Sequence, residues 1–465
     1  VDLSLNKDKI ITLLKYDSLN RIKHQHIIND AVNYCHEYSY LQQDENSLDL
    51  ISEDILKIKI ENKQEYYIET NKYQYDVNGN IINIAQDDVE TKYTYDSINR
   101  LVQEENPLLN KTIKYKYDKV GNIILTKEYD NKSKELILTK EYIYDCDNQD
   151  RLISFNNEMI SYDEMGRPLI YRNKKLTWNN QNQLLRINND INYKYDVNGI
   201  RSYKLVKGIE TRYITQNNQI ICEENNNGII IYQYILNKLV GFTYTTSSGT
   251  KKYLYIRNIQ GDITSIIDSE GNKVCSYIYD GYGNHIVLNQ DDNLENDPLS
   301  IGHINPFRYR GYYFDEESGL YYLNSRYYDP ETGRFISPDI LSILDETKGQ
   351  INGLNLYMYC NDNPIMYCDP SGNFAIGAFL IGLAISSLVG WGLSKIFGSQ
   401  IAGGIGSIIN GGSAIATGLS LFAFGPWGII AGIGLMIVGG VTIAFGTNEI
   451  ASDITGTNYI QSWTG

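Results

Sequence analysis

The sequence predicts a mainly β chain: a stack of repeated hairpins, then an aromatic-rich region, then an apolar helical segment. Three observations predict it. A Tyr-Asp phrase recurs through residues 1–300, tyrosine (40) far outnumbers phenylalanine (11), and residues 374–447 carry a single charge, Lys395. A repeat of this kind is one supersecondary unit that buries its apolar face only by stacking on its neighbours.

Each repeat reads as strand, turn, strand. Tyr73 and Tyr75 lead into Asp76, Gly79, Asn80 and Ile81, and the phrase returns at Tyr95-Asp96, Tyr117-Asp118, Tyr144-Asp145, Tyr162-Asp163, Tyr195-Asp196 and Tyr279-Asp280. Alternation of tyrosine with polar residues is the period-2 pattern of a half-buried strand. The aspartate can accept backbone N–H groups two residues on, and the Asn-Gly or Gly-Asn pair supplies the positive φ of a tight hairpin. An apolar residue after the turn (Ile81, Leu101, Ile123, Leu152) restarts the buried face. Tyr75 and Tyr95 lie 20 residues apart and Tyr95 and Tyr117 lie 22 apart, room for one hairpin per repeat. Trp178 stands where a degenerate copy would have tyrosine. Residues 25–70 and 205–250 match the phrase less well, and the charged run 44–63 reads as an insertion or a poor copy.

The preference for tyrosine over phenylalanine selects a ring with a hydroxyl. A ring packed on the sheet with its O–H reaching water or a neighbouring turn suits a wall one sheet thick. The same rings would offer a stacking platform for carbohydrate, and spacing does not separate the two uses.

A net charge of −15 argues against a nucleic-acid-binding body and suits an exported shell. Six cysteines (Cys35, Cys146, Cys222, Cys275, Cys360, Cys368) show no CxxC spacing and read as free thiols, with Cys360 and Cys368 near enough in sequence to pair. Five dispersed histidines, with His24 and His26 on one strand face, lack a third ligand, so no metal is expected. Asp76, Asn78 and Asn80 mimic a calcium loop, but Ile81 holds the sixth position, and they read as turn residues. No P-loop or Gly-x-Ser-x-Gly is present, and no cofactor is expected. The chain opens on Val1 without a visible export signal and reads as a piece of a longer protein at both ends.

Residues 305–372 are dense in aromatic and turn residues: Phe307, Arg310, Tyr313 and Asp315, then Gly319, Tyr322, Arg326, Asp329, Gly333, Arg334 and Phe335. Asp339 follows, and the block closes on Asp369-Pro370-Ser371-Gly372. With the Tyr-Asp array before it, this block resembles the Rhs-associated core that ends the shell of Rhs and YD-repeat proteins. That family includes bacterial polymorphic toxins, the C components of insecticidal toxin complexes, and teneurins. The resemblance covers residues 10–372.

It implies a YD-repeat array curling into a hollow β shell, a cocoon around a C-terminal toxin, with the core plugging one end as an aspartyl autoprotease. By motif position it assigns Asp339 and Asp369 as the catalytic pair, and Arg326 and Arg334 as the partners that hold or polarise them. It places the cut at Gly372 and Asn373. Two carboxylates on facing segments can share one proton, one acting as base and the other as acid. This chain departs from the family pattern at Ile340, where proline is usual, and at Asn373, where leucine is usual.

Residues 374–394 run 21 positions without a charge, enough to cross a bilayer core as a helix. Ala378, Gly382, Ser386 and Gly390 fall every fourth residue, a small-residue stripe along which membrane helices pack closely. Three readings stand for this tail: an element that inserts in a target membrane, a pore-forming effector in itself, or apolar packing inside the shell.

The domains expected are therefore a β shell over 1–300, a core over 301–373 and an apolar pre-toxin segment over 374–465. The expected protein is the shell of a secreted or cell-surface polymorphic toxin. Its partners would be its own C-terminal toxin domain, a target-cell membrane and an immunity protein, with no nucleic acid. The rival is a cell-wall adhesin that binds carbohydrate or a neighbouring cell through exposed tyrosines.

Overall fold

The computed structural model describes residues 10–19, 21–29, 32–43, 46–60, 66–235, 238–339 and 355–372. Asn373, Ala378, Gly382, Ser386, Gly390 and the expected apolar helices lie outside the described residues. The chain divides into two compact units, Val1–Lys15 with Ile22–Gly382, and Tyr16–Arg21 with Leu383–Gly465. The account below concerns the first.

Its repeats build antiparallel strands joined in strict sequence order. Thirteen strands, from Ile10–Tyr16 to Glu158–Met159, form one sheet, and fourteen, from Ser161–Tyr162 to His285–Asn289, form a second. The poorly matched stretches belong to the same order. Val32–Gln43 and Asn46–Ile60 are simply long strands, of 12 and 15 residues.

The aspartate turn follows the sequence reading and extends it. Asp76 accepts the N–H groups of Asn78 and Asn80 on Oδ1, both at 2.9 Å, and its Oδ2 takes the Asn80 side-chain amide at 2.8 Å. Asp96 holds Ile98 and Arg100 in the same way, and Arg100 Nε closes on its second oxygen at 2.7 Å. The residue four past the aspartate is asparagine or arginine in most copies, because either can donate back to the carboxylate; Ile200 after Asp196 gives only its backbone N–H, at 3.0 Å. Between them sits the one position that needs a left-handed backbone, Gly79 at φ 84° and Asn99 at φ 66°. At the other end of the strands the hairpins close on pairs with positive φ at both residues, such as Asn156-Asn157 and Asn217-Asn218.

The tyrosine before each aspartate explains the residue count. Tyr95 donates its hydroxyl to the Ile81 carbonyl at 2.7 Å, Tyr117 to Leu101 at 2.6 Å and Tyr144 to Ile123 at 2.8 Å. In the second sheet Tyr195 meets Leu184 at 2.7 Å and Tyr279 meets Ile263 at 2.6 Å. The acceptor each time is the apolar residue that follows the preceding turn, itself buried: Ile81 and Leu101 are 0% exposed. A buried backbone carbonyl needs a donor, and the hydroxyl supplies one. Trp178 fits the same slot because its indole N–H donates to the Pro168 carbonyl at 2.7 Å. Phenylalanine could not.

The two sheets meet face to face. Ile27, Val32, Leu56 and Ile58 of the first pack on Val240, Leu254 and Ile256 of the second, and Tyr34 donates to the Tyr255 carbonyl at 2.9 Å. Nearby, Asn106 reaches the Tyr279 carbonyl at 3.0 Å. Between them lies a cavity of about 600 Å³, bordered by Tyr73 and Tyr93 on one side and Tyr277, Tyr279 and Arg310 on the other. Tyr73, Tyr115, Tyr193 and Tyr277 are buried, so these repeat rings serve packing and not an outer stacking platform.

A four-stranded meander, Tyr313–Asp315, Leu320–Tyr322, Tyr327–Asp329 and Arg334–Phe335, forms the core region. Asp315, fully buried, receives Arg201 of the second sheet on both oxygens, at 2.5 and 3.0 Å, and Lys204 at 3.0 Å. Four tyrosine rings surround that guanidinium, Tyr193, Tyr213, Tyr313 and Tyr322, at 4.5–5.2 Å. The paired carboxylate and the surrounding rings offset the cost of taking this ion pair out of water, although Arg201 Nε is left without a hydrogen-bond partner. Tyr95→Phe is expected to lower stability by about 1 kcal/mol, the net worth of one buried hydrogen bond. Urea denaturation of the variant against the parent measures it, and an unchanged midpoint would remove the ladder from the account.

Candidate active site

Three of the four side chains singled out in the sequence converge. Arg326 begins at the turn before Tyr327–Asp329, Asp339 lies just past Arg334–Phe335, and Asp369 is carried in by the returning segment 355–372. One nitrogen of Arg326, Nη2, stands 2.7 Å from Asp339 Oδ2 and 3.4 Å from Asp369 Oδ2. Its Nη1 donates to the Leu356 carbonyl at 3.1 Å, and its Nε donates to the carbonyl oxygen of Gly372. The Phe335 ring covers the guanidinium at 3.6 Å.

Arg334 goes elsewhere. Neighbours on a strand point to opposite faces, so with Phe335 turned toward Arg326 its predecessor points away. Arg334 donates to Asn122 at 3.1 Å, to the Tyr144 hydroxyl at 2.8 Å and to the Asp150 carbonyl, which fastens the core to the first sheet. It does not touch Asp339 or Asp369.

The closing Asp-Pro-Ser-Gly turn is itself fixed. Asp369 Oδ1 accepts the Gly372 N–H at 2.9 Å and the Ser371 N–H at 3.3 Å, while the Asp369 N–H donates to the Tyr312 hydroxyl at 2.8 Å. Ser325 donates through its hydroxyl to the Ser371 carbonyl at 2.8 Å. Gly372 has φ +74°, and a Cβ there would come within 2.5 Å of the Leu323 carbonyl oxygen. Only glycine lets the chain pass at this point. Tyr312, Ser325 and Phe335 were not picked out from the sequence, where tyrosine and serine are too common in this block to signal a role.

Two carboxylates sharing one buried guanidinium leave an excess negative charge if both ionise, so the trio favours one proton held between them. Burial pushes Asp369 up to about 6, with Asp339 adding to the rise and Arg326 and the two N–H bonds opposing it. The arrangement thus combines a proton-holding carboxyl, a second carboxylate and a cation seated on a peptide carbonyl.

Six free thiols are found among the described residues, Cys360 and Cys368 included. His303 pairs with Glu316 at 2.9 Å, away from this site.

The family model described as Teneurin YD-shell matches residues 2–365. The tRNA nuclease WapA of Bacillus subtilis (strain 168) is 33% identical over 239 residues, 48% of this chain and 9% of that protein. The toxin protein Tse5 of Pseudomonas aeruginosa is 44% identical over 84 residues, 17% of this chain and 6% of that protein. Among solved structures, TcdB2-TccC3-Cdc42 superposes with a TM-score of 0.62 at 21% identity, over 78% of this chain and 19% of that one. The Tc holotoxin pore of Photorhabdus luminescens gives 0.60 at 20%, over 79% of this chain and 19% of that one. These two establish the fold. The chain spans 9% of the length of the WapA relatives from Bacillus subtilis (strain 168) and Bacillus spizizenii.

With a folded value near 6 against an ordinary 3.8, Asp369 binds its proton more tightly in the folded chain than in the unfolded one. Its contribution to stability is therefore full below about pH 4 and is lost as pH rises through about 6, on the order of 2–3 kcal/mol. Asp369→Asn is expected to flatten the fall in stability between pH 4 and 6. Denaturation midpoints at stepped pH test this, and parallel curves for variant and parent would contradict it.

Proposed function

This chain belongs to the teneurin YD-shell family, and from that premise we propose that it is the shell and core of a polymorphic toxin. The shell houses the C-terminal toxin domain of its own protein, and the core cuts the chain to free it. The protein is exported or displayed at the cell surface, and an immunity protein guards its producer. The apolar residues 374–447 insert in the target-cell membrane and aid delivery. Relatives named as toxins and nucleases, together with a fold shared with toxin-complex structures, support the shell reading.

One observation carries the cutting reading: Arg326 joins Asp339, Asp369 and the Gly372 carbonyl oxygen in one buried cluster. In the reaction Arg326 Nε polarises that carbonyl. Asp339 takes a proton from water, whose oxygen bonds to the Gly372 carbonyl carbon. The bond to the Asn373 nitrogen then breaks, and the proton held by Asp369 passes to that nitrogen. Hydrolysis is complete when the new carboxylic acid at Gly372 gives its proton to the Asp369 carboxylate, leaving a carboxylate at Gly372 and an amine at Asn373. Arg334 holds the core in place and takes no part.

The whole chain, expressed and run on a denaturing gel, is expected to show a break after Gly372, and Asp339→Asn is expected to abolish it. Cleavage should be fastest below about pH 6, where Asp369 keeps its proton, and slow above it. A parent chain that stays as intact as Asp339→Asn at every pH would remove the protease role and leave the shell standing.

A further inference from the structure

One hairpin carries chemistry that shell, core and tail leave unused. Ile22–Asn29 and Val32–Gln43 pair antiparallel, with His24 opposite Glu37 and His26 opposite Cys35. Side chains alternate across a strand, so His24 and His26 share one face and meet Cys35 and Glu37 on it. Tyr34, on the other face of its strand, packs into the cluster between the sheets. The histidines therefore lie on the face turned away from the second sheet.

There the geometry supplies the third ligand that the sequence did not reveal. One donor atom from each of His24, His26 and Cys35 lies within 4.8 Å of the other two. Cys35 Sγ is 3.5 Å from His26 Nε2, and the two imidazole rings run nearly parallel, 6.2 Å between centroids at 19°. Glu37 stands 3.6 Å from His24 Nδ1, and its other oxygen is paired with Lys57 at 2.8 Å.

Two imidazoles and a thiolate are the donor set of a borderline-soft ion, zinc above all. Zinc bonds of about 2.0–2.1 Å to nitrogen and about 2.3 Å to sulfur set the ligand atoms of a tetrahedron roughly 3.5 Å apart. Donors spread over at most 4.8 Å reach that spacing by small side-chain rotations, which partly exposed histidines can make. Glu37 is placed either to fix the tautomer of His24, as carboxylates do beside zinc, or to fill an open position.

We propose that His24, His26 and Cys35 bind one zinc ion, with water or the Glu37 carboxylate as the fourth ligand. On binding, the Cys35 thiol gives its proton to solvent and the ion bridges the two strands. The site staples a hairpin whose sequence matches the repeat poorly.

Cobalt(II), titrated into the whole chain with a non-thiol reductant, is the probe. One equivalent is expected to bring up a thiolate-to-cobalt charge-transfer band in the near ultraviolet and tetrahedral ligand-field bands in the visible, all erased by zinc. Cys35→Ser should remove the charge-transfer band, and His24→Gln should weaken binding about tenfold or more. Exposed Cys146 serves as control, and Cys146→Ser should change nothing. If circular dichroism finds Cys35→Ser unfolded, the His24→Gln titration decides alone. No charge-transfer band in the parent, a band of full strength in folded Cys35→Ser, or unchanged affinity in His24→Gln would overturn the site.

Discussion

Where an aspartate or asparagine turn ends, a tyrosine hydroxyl from the next repeat donates to the first carbonyl of the strand that follows. This contact recurs from Tyr95 on Ile81, at 2.7 Å, to Tyr279 on Ile263, at 2.6 Å, in both sheets. Much else follows from it. The bond fixes how far each repeat lies from the last, because the ring must span from its own strand to the restart of the previous one. It also turns the apolar residue after each turn inward, where Leu101 and Leu184 are fully buried. Left unsatisfied, such a buried carbonyl would cost about 1–3 kcal/mol. The repeat solves this locally, once per unit, so the wall can lengthen without a new core.

The core region is attached by a different means. Its arginines and acids are mostly buried and paired across to the sheets: Arg310 with Asp262 at 2.8 Å, Arg334 with Asn122 at 3.1 Å, Asp315 with Arg201 and Lys204. Such pairs add little net stability over an apolar interface, but they tolerate only one seating. The demanding geometry belongs at this junction, because the core must bring Asp339 and Asp369 to the same nitrogen of Arg326.

The local grammar was open to a reader of the sequence. Asp76, Gly79 and the apolar Ile81 announce turn and strand, and Trp178 announces a degenerate copy. The bond from Asn80 or Arg100 back to the aspartate was hidden, since two such different side chains share only a donor in the right place. The run 44–63, now the long strand Asn46–Ile60, read as an insertion or poor copy because it lacks the turn signature. For the site, motif position located Asp339, Asp369 and Arg326 but also drew in Arg334, which a strand's alternation sends to the opposite face. The meeting of Cys35 with His26 depends on register across a hairpin, and register is set by pairing, not by the order of residues.

The meeting of Asp369 with Arg326 also depends on a strained turn. Cys360, Asn361 and Asp362 all adopt left-handed backbone, with φ of 52°, 54° and 59°. Each costs an L-residue about 1–2 kcal/mol, so an isolated peptide would not hold the shape. The contacts that hold it come from the whole unit. Asn363 donates to Asn80 of the first sheet at 2.9 Å, and Gln260 of the second sheet donates to the Ile365 carbonyl at 3.1 Å. Arg310, itself fixed by Asp262, reaches the Pro364 carbonyl. The turn swings the chain back so that Asp369 arrives at Arg326, and it does so only while both sheets are present to grip it. Placement of Asp369 beside Arg326 is thereby tied to residues of both sheets, not to the returning segment alone.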